Sequence, residues 1–369
     1  MSSASARISG DRPMSVSATA APAWWDPDID DRLICRAVLT ETADVKTFVF
    51  EAPGGRRFAY APGQFANFEV ECGGGVETRS YTLASAPTRP DRVAITVKRI
   101  PGGIVSNHLH DRLKPGDAIK VQLPLGDFST ARHPAPKYLF LAAGVGATPL
   151  MSMLRAEDDL AGGADIVFVN VARRPEELVF RRELEAIAAR NRTVRLAHVV
   201  TGEGAEPWAG HRGRPTRATI EAIAPDFRTR EIFVCGPDGF MASVRGVLAE
   251  AGFDMARHHE ESFTFGADAA AEAAAAPVDP AEKTWRITFT RSGKVVLCDG
   301  TTPILTAARK AGVVLPSSCT KGLCGTCKSK KLDGEVEMKH SGGIRPREIE
   351  AGQVLLCCSR PRSDVTIER

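Results

Sequence analysis

The sequence predicts a multi-domain β and α/β protein: an antiparallel β-barrel, then a parallel α/β domain, then a small cysteine-bearing domain. Three observations predict it. Residues 32–131 hold short alternating apolar runs broken by Gly and Pro, the mark of a barrel. Residues 132–266 change to apolar strands separated by helical stretches. An Ala/Pro-rich linker, 267–283, then sets off residues 284–369, whose composition differs again. A length of 369 residues fits two or three domains better than one.

Composition narrows the function before any motif does. With 43% apolar and 25% charged residues the chain can bury several cores. It holds no run of eighteen apolar residues, so no membrane span is expected, and the N-terminus lacks the apolar core of a signal peptide. Residues 1–31 are expected to be a disordered tail, Ser-, Ala- and Pro-rich as far as residue 23, with Met14 as an alternative start. Nine cysteines without an export signal point to metal or redox use in a reducing compartment, with the cytoplasm as the default. The mild net charge of +3 speaks against nucleic acid. Its distribution is uneven: residues 284–369 hold fifteen Lys and Arg against eight Asp and Glu, leaving +7 there and −4 in the remainder. Lys321, Lys328, Lys330 and Lys331 make this a basic face, either merely solvated or a docking surface.

In the barrel, strands are expected at 65–70, 79–83, 93–97 and 118–123. Arg79-Ser80-Tyr81-Thr82 is followed by Lys98-Arg99 and by Gly102-Gly103-Ile104-Val105-Ser106-Asn107. Each piece alone is an ordinary alternation or turn. In this order they suit a flavin: Arg79 can neutralise a phosphate, Tyr81 offers a flat ring, and Thr82 can hydrogen-bond the reacting nitrogen. The Gly-Gly turn leads into a short helix, 105–111, whose free N–H groups and Ser106 hydroxyl make a phosphate site.

In the α/β domain, strands are expected at 138–142, 166–170, 194–200 and 232–235. Gly144-Val145-Gly146-Ala147-Thr148-Pro149 forms a Gly-rich turn from strand to helix, with Pro149 where a lost N–H costs little. Cys235-Gly236-Pro237-Asp238-Gly239-Phe240 again follows a strand and opens a helix. His258-His259-Glu260-Glu261 suggests a metal at first sight. Successive strand residues face opposite sides, however, so the four cannot converge on one ion.

After the linker, two strands (287–290, 294–298) precede a helix at 304–310, capped by Thr301 or Thr302 with Pro303 in its first turn. Then comes Cys319-x4-Cys324-x2-Cys327, with Cys357 thirty positions after Cys327. Three thiolates on one tight loop and a fourth on a separate segment can enclose two irons and two sulfides. Zinc knuckles prefer two C-x2-C arms, whereas here the distant cysteines are the adjacent Cys357 and Cys358.

That spacing is similar to plant-type ferredoxins, which implies a C-terminal β-grasp ferredoxin domain with a 2Fe–2S cluster on Cys319, Cys324, Cys327 and Cys357, at about −400 mV. Residues 32–265 resemble the ferredoxin–NADP reductase superfamily, in which Arg-x-Tyr-Ser/Thr and a Gly-x-x-Ser segment bind flavin and Gly-x-Gly-x-Thr-Pro lines the nicotinamide site. The resemblance implies flavin contacts from Arg79, Ser80, Tyr81, Thr82, Lys98, Gly103, Val105, Ser106, Thr148 and Phe263. It implies nicotinamide contacts from Gly144, Gly146, Pro149, Cys235, Gly236, Pro237 and Phe240. Cys235, Thr82 and Glu261 are the residues expected nearest the hydride path, with Phe263 shielding the flavin ring. FAD is expected, with FMN as the alternative, and NADH, with NADPH as the alternative.

The order flavin, nicotinamide, cluster resembles reductase components of multi-component oxygenases. The run from Met338 to Pro361 and the segment 258–265 resemble the reductase subunits of glycine-betaine and stachydrine demethylating systems. Their partners are Rieske non-haem iron oxygenases, expected to dock near the cluster. Hybrid-cluster protein, phenylacetyl-CoA epoxidase and aromatic-ring oxygenases are the alternative acceptors.

Overall fold

The computed structural model describes residues 23–72, 74–122, 124–205, 207–263, 284–313, 315, 322, 325, 327–340, 343–344 and 346–369. The linker at 267–283, Lys321, and two of the expected ligands, Cys319 and Cys324, lie outside the described residues.

Strands β1 (Arg32–Thr42), β2 (Val45–Glu51), β3 (Phe65–Cys72), β4 (Gly75–Thr82), β5 (Val93–Lys98) and β6 (Ala118–Val121) form an antiparallel sheet in the order β4-β3-β6-β1-β2-β5. A bridge between Leu83 and Ile95, with Ala84 N donating to Ala94 O at 2.8 Å, joins its two outer strands, and the barrel closes. Alternation drives this: in β3, Ala66, Phe68 and Val70 turn inward to a core shared with Phe48, Phe50 and Ile95. Helix α1 (Ile104–Arg112) adds Val105 and Leu109 to that core. Residues 23–31, within the stretch read as tail, seat Trp25 in the same core, 5.4 Å from the Phe58 ring.

The second sheet is wholly parallel. Its strands β7 (Lys137–Ala143), β8 (Asp165–Ala172), β9 (Val194–Val200), β10 (His211–Arg212), β11 (Glu231–Gly236) and β12 (His258–Ser262) run in the order β10-β9-β8-β7-β11-β12. Helices α2 (Ala147–Leu160) and α3 (Arg181–Arg190) pack on one face, α4 (Arg217–Ile223) and α5 (Asp238–Glu250) on the other. Burial on both faces explains why β7 and β11 are nearly continuous apolar runs. The chain moves outward from β7 to β10 and returns to the other side of β7. The carboxyl ends of β7 and β11 therefore flank a topological switch point, where open α/β sheets bind ligands. At the opposite end, Arg230 is fully buried between Asp165 and Asp226 and also donates to the Tyr138 and Asp165 carbonyls, tying β7, β8 and β11 together.

The last domain holds β13 (Thr284–Phe289), β14 (Lys294–Asp299), α6 (Ile304–Lys310), β15 (Lys328–Asp333), β16 (Val336–Met338), α7 (Pro346–Glu350), β17 (Gln353–Leu355), β18 (Ser359–Pro361) and β19 (Val365–Glu368). Five strands make a mixed sheet, β14-β13-β19-β15-β17, with β16 and β18 as a separate ribbon. Buried Ile304, Leu305 and Ala308 place α6 in the core of this grasp-like unit. Its cap differs from expectation. Pro303 is the N-cap, and Thr301 and Thr302 donate through N–H and hydroxyl to Asp299 instead of capping the helix themselves. A carboxylate takes four donors at once, which no single Thr hydroxyl can.

Candidate functional site

At the switch point two turns meet. Gly144, at φ +56°, starts the turn after β7, and any Cβ on Gly146 would stand 2.2 Å from the Cys235 carbonyl oxygen. Only glycine lets the turn lie flat on the end of β11. Gly236 is hemmed in as well: a Cβ there would come within 2.9 Å of Ala143 and Phe240. Pro149 is buried as the third residue of α2, and Pro237 is the exposed N-cap of α5. Cys235 is fully buried, and burial, then the neighbouring Glu261 charge, push its thiol upward. Glu261 pairs with Cys235 in register across β11 and β12. Its Oε2 is shut off from solvent without a partner among the described residues, and burial raises the carboxyl to about 8. Half-buried Phe263 packs against the same core cluster as Cys235.

The end of β4 brings the barrel to this crevice. Thr82 is 4% exposed and its hydroxyl lacks a hydrogen-bond partner among the described residues. A buried hydroxyl left open is costly, so the site fits a ligand offering a hydrogen-bonding atom there, as a flavin does. Tyr81 lies edge-on to Phe68 at 5.8 Å, and burial raises its phenol above the usual range, keeping it neutral. Ser80 Oγ donates to Asn67 Oδ1 at 2.7 Å. Arg79 donates to Glu77 at 3.0 Å and to the Thr78 carbonyl. Lys98 faces Asp44 at 3.2 Å. At the start of α1, a Cβ on Gly103 would sit 2.7 Å from Ser106 Oγ, and that oxygen accepts from Ile100 N–H. Val105 belongs to the barrel core, and the Thr148 hydroxyl donates to the Val145 carbonyl at 2.9 Å, bracing the glycine turn.

The barrel and α/β domain share one apolar core, to which the barrel contributes Val45, Ala84 and Phe128. Arg155 of α2 donates to the Ala84 carbonyl while paired with Glu183 at 2.6 Å, and Ser152 Oγ donates to the Ser85 carbonyl at 2.7 Å. Both contacts fall just beyond Thr82, so the clamp sets the flavin strand against the nicotinamide turns.

Of the four expected cluster ligands, Cys327 and Cys357 are described, and both are buried. Cys357 N–H points at Cys327 Sγ at 3.4 Å, and hydrogen bonds from Cys327, then Cys358, hold the Cys357 thiol well below its usual range. A Cys357 thiol so disposed to lose its proton suits metal ligation. Gly322 and Gly325, at φ +72° and +71°, shape the loop. A Cβ on Gly322 would lie 2.8 Å from Cys358 Sγ. The basic face is thinner than composition implied: Lys328 is paired with Glu348, Lys331 donates to the Gly334 carbonyl, and Lys330 is exposed.

Strand β12 divides its polar run as alternation requires, with His258 beside Glu260 at 3.2 Å and His259 on Glu231 at 2.8 Å. Sequence reading did not foresee that His133 joins His259 and Glu231, their ligating atoms all within 4.8 Å. The two imidazoles stack at 3.8 Å, 25° from parallel, so their in-plane lone pairs do not converge. An open groove of about 750 Å³ along β9, lined by Glu185, Leu196 and His198, lies apart from these turns.

The fold and these turns define a class, an oxidoreductase with separate flavin, nicotinamide and iron–sulfur domains. Family models agree: that of oxidoreductase FAD-binding domains matches residues 35–130, that of oxidoreductase NAD-binding domains 140–246, and that of 2Fe-2S iron-sulfur cluster binding domains 287–362. The glycine betaine monooxygenase reductase subunit of Pseudomonas aeruginosa is 44% identical over 343 residues, covering 90% of this chain and 94% of that protein. The stachydrine N-demethylase reductase subunit of Rhizobium meliloti is 40% identical over 339 residues, covering 91% and 96%. The solved structure of phthalate dioxygenase reductase superposes with a TM-score of 0.55 at 26% identity, covering 93% of this chain and 99% of that one. The chain belongs to this family of oxygenase reductase components. No helix among the described residues is long and apolar enough to cross a membrane.

Proposed function

We propose that this chain takes hydride from NADH onto FAD and passes electrons singly through a 2Fe–2S cluster to a Rieske-type oxygenase that N-demethylates glycine betaine or a related quaternary amine. The observation that carries the reading is the position of β4. The Arg155 and Ser152 clamp holds its end against the nicotinamide turns, while Ser80 in its middle contacts Asn67, which abuts Gly325 of the cluster loop. The amine substrate rests on the likeness to the glycine betaine and stachydrine reductase subunits.

A bound flavin supplies the exchange between a two-electron hydride donor and a one-electron acceptor. The chain's residues arrange that exchange. Arg79 and Lys98 meet phosphate charge, and Gly103 with Ser106 offers the turn and hydroxyl for it. Thr82 would offer its open hydroxyl to the bound flavin, Tyr81 and Phe263 would pack against it, and Glu261 holds a proton on its buried carboxyl at neutral pH. Gly144, Gly146, Pro149, Gly236, Pro237 and Phe240 shape the nicotinamide crevice, with Cys235 at its floor. NADH over NADPH is read from the family resemblance. Cys319, Cys324, Cys327 and Cys357 would hold the cluster.

The test is rapid anaerobic mixing with NADH and NADPH, followed by coupling to the oxygenase with glycine betaine and measurement of formaldehyde. NADH should bleach the flavin faster than NADPH, and formaldehyde should form only with oxygenase present. A flavin that neither nucleotide reduces sinks the reading. For the ligand set, Cys357→Ser should lose the cluster's colour and iron while Cys358→Ser keeps both; the reverse result reassigns the fourth ligand.

A further inference from the structure

Asn67 is out of place for a barrel strand. Its neighbours Ala66 and Phe68 face the barrel core, so alternation turns Asn67 outward, where an amide should be wet. It is only 1% exposed. Its cover includes the cluster loop: a Cβ on Gly325, which stands between Cys324 and Cys327, would lie 3.2 Å from Asn67 Nδ2 and 2.8 Å from the Gly343 carbonyl oxygen. Gly325 thus backs directly onto the amide, at a φ of +71° that a side chain would strain.

On the barrel side the amide is held at both ends. Oδ1 accepts from Ser80 Oγ at 2.7 Å, directly across the β3–β4 pair. Nδ2 donates to Gln122 Oε1 at 3.3 Å, and Gln122 Nε2 donates in turn to Glu69 at 3.0 Å. A charge influence crosses the same boundary nearby: Arg369, held inside the cluster domain by donating to the Lys328 carbonyl at 2.8 Å and to Ser329 Oγ at 3.1 Å, feels the charges of Glu77 and Arg79 of β4. Ser80 lies just beyond those two residues on the same strand. Buried polar groups held by hydrogen bonds at both ends favour one arrangement over others.

We infer that Asn67 is a positioning residue, the barrel's seat for the cluster loop, which sets the loop against the flavin-bearing strand and thereby governs electron passage from flavin to cluster. This rests on the proposed function. Asn67 touches no reacting atom; it acts through Ser80 and Gly325.

The experiment is stopped-flow reduction of the holoprotein by NADH, flavin and cluster phases read separately, for wild type, Asn67→Leu and Asn67→Asp. Asn67→Leu keeps the branch point and the number of side-chain heavy atoms, adds bulk, and removes both hydrogen bonds. Its flavin phase should stay within about twofold of wild type, while its cluster phase slows roughly tenfold, the equivalent of one net hydrogen bond. Asn67→Asp retains the acceptor for Ser80 but loses the donor to Gln122, and should recover only part of the lost rate. Iron and flavin contents must match wild type; if Asn67→Leu does not fold, Gln122→Met weakens the same amide from its other side and should show the same split. Unchanged cluster phases in Asn67→Leu, or equal slowing of both phases, overturn the inference. Failure of wild type itself to accept hydride would instead overturn the proposed function.

Discussion

The barrel meets its two neighbours in different ways. Toward the α/β domain it shares an apolar core and a clamp: Arg155 on the Ala84 carbonyl, Ser152 on the Ser85 carbonyl, and Thr88 with Arg89 on Asp159. Toward the cluster domain it offers a polar seat at Asn67, the charges of Glu77 and Arg79 felt by Arg369, and an exposed pair between Asp28 and Arg347. The difference matches what crosses each boundary. Hydride transfer moves an atom and requires reacting groups about 3–3.5 Å apart and aligned. An electron crosses longer gaps, so a lighter seat suffices provided its position is reproducible.

The largest effect should come from breaking the clamp. Arg155→Met removes a mostly buried guanidinium and leaves Glu183 and the Ala84 carbonyl without it; about 2–3 kcal/mol of stability should be lost, read by denaturant melts. Flavin reduction by NADH should slow in that variant, while the cluster phase keeps its ratio to it. Equal loss at both boundaries would erase the contrast.

Glu261 gives a second, pH-dependent handle on the hydride boundary. Burial raises its carboxyl from 4.5 to about 8, so the stability carried by the neutral form is fully present below about 4.5 and is lost as pH rises through about 8. Glu261→Gln should flatten the fall in stability between about 4.5 and 8 and shift the pH profile of flavin reduction. A wild-type profile unchanged by the substitution would show that this carboxyl ionises normally.

Smaller still is the effect of salt on partner docking. With Lys328 and Lys331 already engaged and Lys330 exposed, turnover with the oxygenase should fall only modestly with ionic strength, while ferricyanide reduction stays flat. Parallel salt curves would remove electrostatic docking at this face. The smallest change is expected from Asp28→Asn at the cluster boundary. Both partners of that pair are about half exposed, so melting should move by no more than about 0.5 kcal/mol.

The same contrast governs what was legible in the sequence. Groups that answer to local rules announce themselves: the Gly-x-Gly turn, the Cys235-Gly236-Pro237 turn, Arg79 to Thr82, and the cysteine spacing each have a fixed local geometry. Asn67 does not. Period-two alternation marks it as a solvent-facing residue, and its cover includes a loop some 260 positions away. Arg230 likewise reads as a surface charge until three strands converge on it. Thr301 and Thr302 did not take the capping task expected of them because their N–H groups and hydroxyls are drawn to the Asp299 carboxylate in the turn before α6. Long-range packing, not local propensity, decides these cases.

The account turns on order: hydride reaches the barrel's cofactor before any electron reaches iron. Freeze-quench EPR alongside stopped-flow absorbance, on one anaerobic NADH mix of the holoprotein, reads both events on one clock. Flavin bleaching should lead, the reduced-cluster signal should follow, and Cys357→Ser should abolish the second while leaving the first. A cluster signal that rises ahead of flavin bleaching contradicts the account.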